Sequence, residues 1–142
     1  DAQGSVRMVR TDGLAWATAE FLRPPPGSQG GSFGFAVAID NSTLAVSMPG
    51  YTLPGSSLPN GAVLLYEQSG NRWTHIQTVI GPTPDTGFGE SVSLDGDQLI
   101  IGAPDAPSGG HAYYYRRNMS GSWDSLSNLT RVQEQSSRDL FH

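Results

Sequence analysis

The chain contains an internal repeat, and this repeat limits the folds open to it more than any other feature. Two copies of a unit of roughly 50 residues align with matching apolar, aromatic, glycine and proline positions. Such spacing is typical of arrays of supersecondary units, in which each unit buries one face against its neighbour. The aligned pairs are segments 33–49 and 88–104, segments 61–66 and 110–115, and Trp73 and Trp123.

A third, partial copy opens the chain, 57 residues ahead of its counterpart. It lacks the first half of the unit and matches only the second half. At the other end Phe141 stands where a further copy would begin, although His142 replaces the expected glycine. The opening matches are Val6, Met8, Trp16 and Leu22 with Val63, Leu65, Trp73 and Val79.

Each full copy predicts four short β-strands, designated A to D. The runs are short, rich in Val, Ile, Leu and Tyr, and bounded by Gly, Pro, Asn and Asp. The sequence therefore predicts an all-β chain of consecutive four-stranded antiparallel sheets, with two full units and one half-unit. The predicted strands are 34–40, 43–49, 61–67 and 73–80 in the first unit, 89–94, 98–103, 110–116 and 122–130 in the second, and 5–10 and 15–22 in the half-unit.

The connections indicate which surface faces a ligand. Asp95-Gly96 predicts a tight hairpin between strands A and B, because glycine accepts the positive φ of such turns. The B–C loops are the longest and most variable connections, so we expect them to face a ligand or partner. Tyr113-Tyr114-Tyr115 adds a possible contact, although alternate residues of a strand point inward and at least one tyrosine must be core. The candidate contact residues are Tyr51, Asn60, Asp105 and Tyr114.

The motif that opens each unit resembles the FG-GAP repeat, the blade unit of integrin α-subunit-like β-propellers. The second copy reads Phe88-Gly89, then Val92, an apolar strand and Gly102-Ala103-Pro104. The first copy has Ser-Met in place of Gly-Ala before Pro49. The resemblance implies propeller-type blades in which the phenylalanines fill gaps between blades and the tryptophans cover blade edges.

On this reading the chain divides at its Pro- and Gly-rich segments. The divisions are a half blade at 1–23, a linker at 24–32, blades at 33–81 and 82–132, and a polar tail at 133–142 that leads to a possible next blade. Integrin-like blades often carry a Ca²⁺ loop between strands A and B. Here these loops shrink to Asp40-Asn41-Ser42-Thr43 and Asp95-Gly96-Asp97, too few oxygens for Ca²⁺, so we expect no metal there.

Charge and sequons constrain the partner and the location. Eight basic residues against 13 acidic ones give a net charge of −5, which argues against nucleic acid as a partner. The chain has no cysteine and no apolar run long enough for a membrane span. Three N-x-S/T sequons favour a secreted, extracellular or cell-surface glycoprotein over ordinary polar turns. The sequon asparagines are Asn41, Asn118 and Asn128.

No pattern in the sequence predicts catalysis or a cofactor. His75, His111 and His142 are scattered, and no nucleotide-binding or nucleophile motif occurs. We therefore expect a structural or adhesive module that acts through protein partners, either the remaining blades of a longer chain or other copies of itself. The alternative is a carbohydrate- or ligand-binding propeller, and a secreted enzyme accessory domain ranks third.

Overall fold

The structure, a computed structural model, describes residues 4–28 and 30–125. These residues form ten β-strands and no helix, as predicted. The strands are β1 (Val6–Thr11), β2 (Trp16–Leu22), β3 (Val37–Asp40), β4 (Thr43–Met48), β5 (Ala62–Ser69), β6 (Arg72–Ile80), β7 (Ser91–Asp95), β8 (Gln98–Ala103), β9 (His111–Arg117) and β10 (Trp123–Ser125).

The strands make three antiparallel sheets in chain order. The first sheet pairs β1 with β2, the middle sheet runs β3-β4-β5-β6, and the last sheet runs β7-β8-β9-β10. The prediction of an all-β chain with four-stranded antiparallel sheets is confirmed. Over the described residues the sheets stack without closing into a barrel or a propeller.

The first strand of each full unit begins later than predicted. We expected strands from 34 and 89, whereas β3 begins at Val37 and β7 at Ser91. The cause is the Phe-Gly pair, because Gly34 and Gly89 have φ of 87° and 95° and turn the chain before the strand starts. The predicted 122–130 strand is described only to Ser125, and the rest of it lies outside the described residues.

The two central strands of the middle sheet are buried on both faces. All of β4 and the first five residues of β5 are buried, so alternate side chains of these strands enter two different apolar clusters. Each fully buried Val, Leu or Ile side chain contributes about 1.5–3 kcal/mol to folding. The cluster shared with the first sheet contains Leu22, Phe33, Leu44, Val46, Met48, Ala62, Leu64, Tyr66 and Trp73. The cluster shared with the last sheet contains Ala45, Val63, Leu65, Val79, Phe88, Leu99, Ile101, Ala103, Ala106, Tyr113, Tyr115 and Trp123.

Phe33 and Phe88 fill the gaps between successive sheets, as predicted. Both are buried, Phe33 in the cluster of the first and middle sheets and Phe88 in that of the middle and last. Each places its backbone carbonyl against a glycine of the preceding sheet. A Cβ at Gly4 would lie 2.2 Å from the Phe33 carbonyl oxygen, and one at Gly61 would lie 2.1 Å from that of Phe88. Trp73 and Trp123 are also buried, near the start of the edge strands β6 and β10.

Candidate interaction surfaces

Two of the predicted contact residues, Asn60 and Tyr51, make contacts inside the fold. Asn60 is buried, and its Nδ2 donates a hydrogen bond to the Gly81 carbonyl oxygen at 3.1 Å. Tyr51 packs against the first cluster, and its carbonyl accepts from the Gly61 amide at 3.0 Å. Both residues therefore hold the β4–β5 loop in place. A ligand could reach the Asn60 amide only by opening that loop.

Asp105 and Tyr114 are the more accessible members of the predicted set. Asp105 is exposed in the β8–β9 loop, and its amide donates to the Thr86 carbonyl oxygen at 2.9 Å. Tyr114 is half-buried on β9, whereas Tyr113 and Tyr115 on the opposite face are core residues. The expectation that at least one of these tyrosines is core is confirmed.

Two of the three sequon asparagines can be placed. Asn41 is exposed with φ of 51° in the β3–β4 turn. Asn118 is exposed in the β9–β10 turn, where its Oδ1 accepts from the Ser120 amide at 2.9 Å and its Nδ2 donates to Asp124 Oδ2 at 2.6 Å. Both are at turn positions, and Asn128 lies outside the described residues.

The outer face of the last sheet, hereafter the C-terminal face, exposes positions that are buried in the other copy of the repeat. Ile100 lies between Ser93 and Tyr114 on neighbouring strands and is 43% exposed. In the alignment Ile100 matches Ala45 and Tyr114 matches Leu65, which are fully buried under the last sheet. The face comprises Ser91, Ser93, Ile100, Gly102, Ala112 and Tyr114.

The outer face of the first sheet, hereafter the N-terminal face, has the converse property. Val9 and Trp16 are exposed there, Trp16 at 72%. Their counterparts on the middle sheet, Tyr66 and Trp73, are buried under the first sheet. The face comprises Arg7, Val9, Thr11, Trp16, Thr18 and Phe21. Ile100, Val9 and Trp16 were not among the contact residues predicted from the sequence. The available signal was their alignment with the apolar residues Ala45, Tyr66 and Trp73.

Polar contacts between the sheets repeat at equivalent positions. Glu20 Oε2 accepts from the Trp73 amide at 3.0 Å. One unit later, Gln77 accepts from the Trp123 amide and donates to the Trp123 carbonyl, both at 2.8 Å. Glu20 matches Gln77 in the alignment, so the same contact joins both pairs of successive sheets.

Arg117 makes a further contact between the middle and last sheets. Its Nη1 lies 3.0 Å from Glu67 Oε1 on the middle sheet, and its Nη2 donates to the Thr43 hydroxyl. Its guanidinium also lies over the Trp123 ring, 5.1 Å from the centroid. A planar guanidinium suits this combination of ion pair and aromatic stacking better than an ammonium would.

Burial shifts the pKa values of Tyr66, His75 and Tyr115. Loss of hydration raises the pKa of the Tyr66 phenol to about 12. The pKa of Tyr115 is raised by burial and, secondarily, by Tyr113. The pKa of His75 is lowered by burial, against an opposing hydrogen bond that the ring donates to the Gln77 backbone. These residues pack in or beside the sheet interfaces, and their shifts need no catalytic role.

The A–B turns of successive sheets are joined directly. The Asp40 carboxylate accepts from the Gly96 amide at 2.6 Å.

Within residues 4–28 and 30–125, no group of three His, Asp or Glu side chains is placed to hold a metal ion. The same residues include no helix with the length and hydropathy needed to cross a bilayer.

Comparison with models of protein families and with curated proteins finds no match for this chain.

Proposed function

We propose that this chain is an extracellular structural or adhesive module of FG-GAP, propeller type, which acts by stacking its outer sheets against further sheets of the same kind. The carrying observation is that Trp16 on the N-terminal face and Ile100 on the C-terminal face are exposed, whereas the residues aligned with them, Trp73 and Ala45, are buried at the internal sheet interfaces. Catalysis forms no part of the proposal.

The internal interfaces support a partner of the same kind for the outer faces. Each internal interface joins an N-terminal-type face of one sheet to a C-terminal-type face of the sheet before it. Trp16, exposed on the N-terminal face, therefore corresponds to a residue that a preceding sheet covers. The partner we favour is a further sheet of a longer polypeptide, and in a solution of this chain a second copy presents the same surface.

Sedimentation velocity of the chain over a range of concentrations tests this proposal. We expect the sedimentation coefficient to rise with concentration. Tyr114→Asp should abolish this rise in the sedimentation coefficient, because it places a charge in an apolar interface. Leu58→Asp is the matched control, since Leu58 is exposed in a loop away from both faces. A monomer at every concentration, unaffected by Tyr114→Asp, would contradict stacking between copies.

The extracellular assignment has a separate test. Expression in a secretory host should attach a glycan to at least one of Asn41, Asn118 and Asn128. Intact mass before and after glycosidase treatment measures the occupancy. An unchanged mass would remove the main argument for secretion and leave the stacking proposal standing.

The second candidate function is binding of a carbohydrate or another small ligand. One observation favours it, a pocket of about 280 Å³ lined by Arg116, Arg117, Asn118, Met119 and Asp124. Guanidinium, amide and carboxylate groups are the polar groups that orient a sugar in a site. A glycan array separates the two functions, because the stacking proposal predicts no glycan-specific signal.

A further inference from the structure

A groove of about 400 Å³ lies at one end of the last sheet. Its walls combine glycine backbone with a proline and a half-buried histidine, so backbone atoms of a bound segment can approach closely. The residues that the argument uses are Gly102, Pro104, Gly110 and His111.

The equivalent place on the middle sheet is filled by Phe88-Gly89. Aligned with the groove residues are Ser47, Pro49, Gly61 and Ala62. A Cβ at Gly89 would lie 3.4 Å from Ser47 Cβ, 3.8 Å from Pro49 Cγ and 3.2 Å from the Ala62 carbonyl oxygen. The Phe88 carbonyl lies against Gly61, as described above. Every groove residue named here thus has a counterpart that contacts a Phe-Gly pair.

The first sheet repeats the arrangement. Phe33 lies against Gly4, and a Cβ at Gly34 would lie 3.2 Å from the Ser5 carbonyl oxygen. Ser5 is the counterpart of Ala62 and of His111. The glycines that receive the phenylalanine share a left-handed backbone, with φ of 84° at Gly4, 73° at Gly61 and 94° at Gly110. Gly110 therefore has the conformation that receives a phenylalanine in both other sheets.

Chain spacing identifies the occupant. Phe33 follows Gly4 by 29 residues, Phe88 follows Gly61 by 27, and Phe141 follows Gly110 by 31. We propose that the Gly102–Gly110–His111 groove is a binding site for a phenylalanine-led turn, and that Phe141 of this chain is its occupant. Phe141 lies outside the described residues. The inference rests on the repeat geometry and holds whether or not the chain acts outside the cell.

Nuclear magnetic resonance of the full chain tests the assignment. We expect nuclear Overhauser effects from Phe141 to Gly110 and His111, and their loss in Phe141→Ala together with shift changes at both residues. Phe35→Ala is the matched control, because Phe35 is exposed and its removal should leave those resonances unchanged. Groove resonances that do not respond to Phe141→Ala would overturn the proposal.

A peptide added in trans gives a second measurement. A peptide of residues 133–142, titrated into the Phe141→Ala chain, should shift the same groove resonances, and a peptide with Phe141→Ala should not. Gly34 and Gly89 both have positive φ, so the peptide with His142→Gly should bind about fivefold to thirtyfold more tightly. Equal or weaker binding of the glycine peptide would overturn the proposed turn.

Discussion

Replacing Phe88 with alanine measures how strongly the middle and last sheets are coupled. The ring is fully buried and meets the Tyr113 ring edge-on, with centroids 5.3 Å apart. A Cβ at Gly81 would lie 2.9 Å from both Cβ and Cγ of Phe88, so main chain already lies against the ring. Close-packed backbone collapses poorly into a cavity, which places Phe88→Ala toward the upper part of the usual range of about 3–5 kcal/mol for Phe→Ala.

Urea unfolding, followed by far-ultraviolet circular dichroism and by tryptophan fluorescence, measures this loss. The matched control is Phe35→Ala, since Phe35 is 61% exposed and should cost no more than about 0.5 kcal/mol. Because Trp123 lies in the same cluster as Phe88, the fluorescence transition should move with the dichroism transition. If Phe88→Ala cost no more than Phe35→Ala, the inference that the buried Phe88 ring couples these sheets would be wrong.

Three further substitutions test the other contacts. Gln77→Leu should lower the free energy of unfolding by about 1–3 kcal/mol, because both hydrogen bonds to the Trp123 backbone are lost; Gln98→Leu, at an exposed position, is the control in urea unfolding. Arg117→Met should lower it by about 1–2 kcal/mol, and the difference from the unchanged chain should shrink in high salt because part of it is ionic. Within the described residues the Tyr66 hydroxyl has no hydrogen-bond partner, so Tyr66→Phe should raise stability by about 1 kcal/mol at pH 7. Burial raises the Tyr66 pKa from 10.0 to about 12, so the folded state favours the neutral phenol. This contribution to the free energy of unfolding is complete below pH 10 and is lost as pH rises toward 12. In thermal melts, the chain with Tyr66→Phe should therefore lose less stability between pH 10 and 12 than the unchanged chain.

The strands were predictable from sequence because two independent signals agreed at each of them. Apolar runs of strand length coincided with turn residues, and the same pattern recurred in the aligned copy. The starts of β3 and β7 were predicted too early because Phe33-Gly34 and Phe88-Gly89 look like strand residues by hydrophobicity. Their conformation is set by glycine and by the gap that the phenylalanine fills in the preceding sheet.

The interaction surfaces were less predictable, and Asn60 and Ile100 illustrate why. Asn60 is polar and lies in a Pro- and Gly-rich loop, which predicted that it is exposed. Its side-chain amide instead donates a hydrogen bond to the Gly81 carbonyl oxygen inside the fold. Ile100 lies in an apolar run, Leu99-Ile100-Ile101, that carries no alternation to distinguish its two faces. Which face is covered depends on the neighbouring sheets, and single-strand patterns contain no information about them.

The direction of stacking decides what kind of assembly the outer faces can form. At both internal interfaces a C-terminal-type face contacts an N-terminal-type face, and the contacts repeat in the same sense, as Glu20 with Trp73 and Gln77 with Trp123 illustrate. A contact of this sort is head-to-tail, so joining two copies leaves one face of each type still exposed. Association by these faces therefore does not stop at a dimer unless the sheets curve enough to close a ring. Sedimentation should accordingly report a continuous series of larger species or one closed ring, and a limiting symmetric dimer would mean that a different surface mediates the contact.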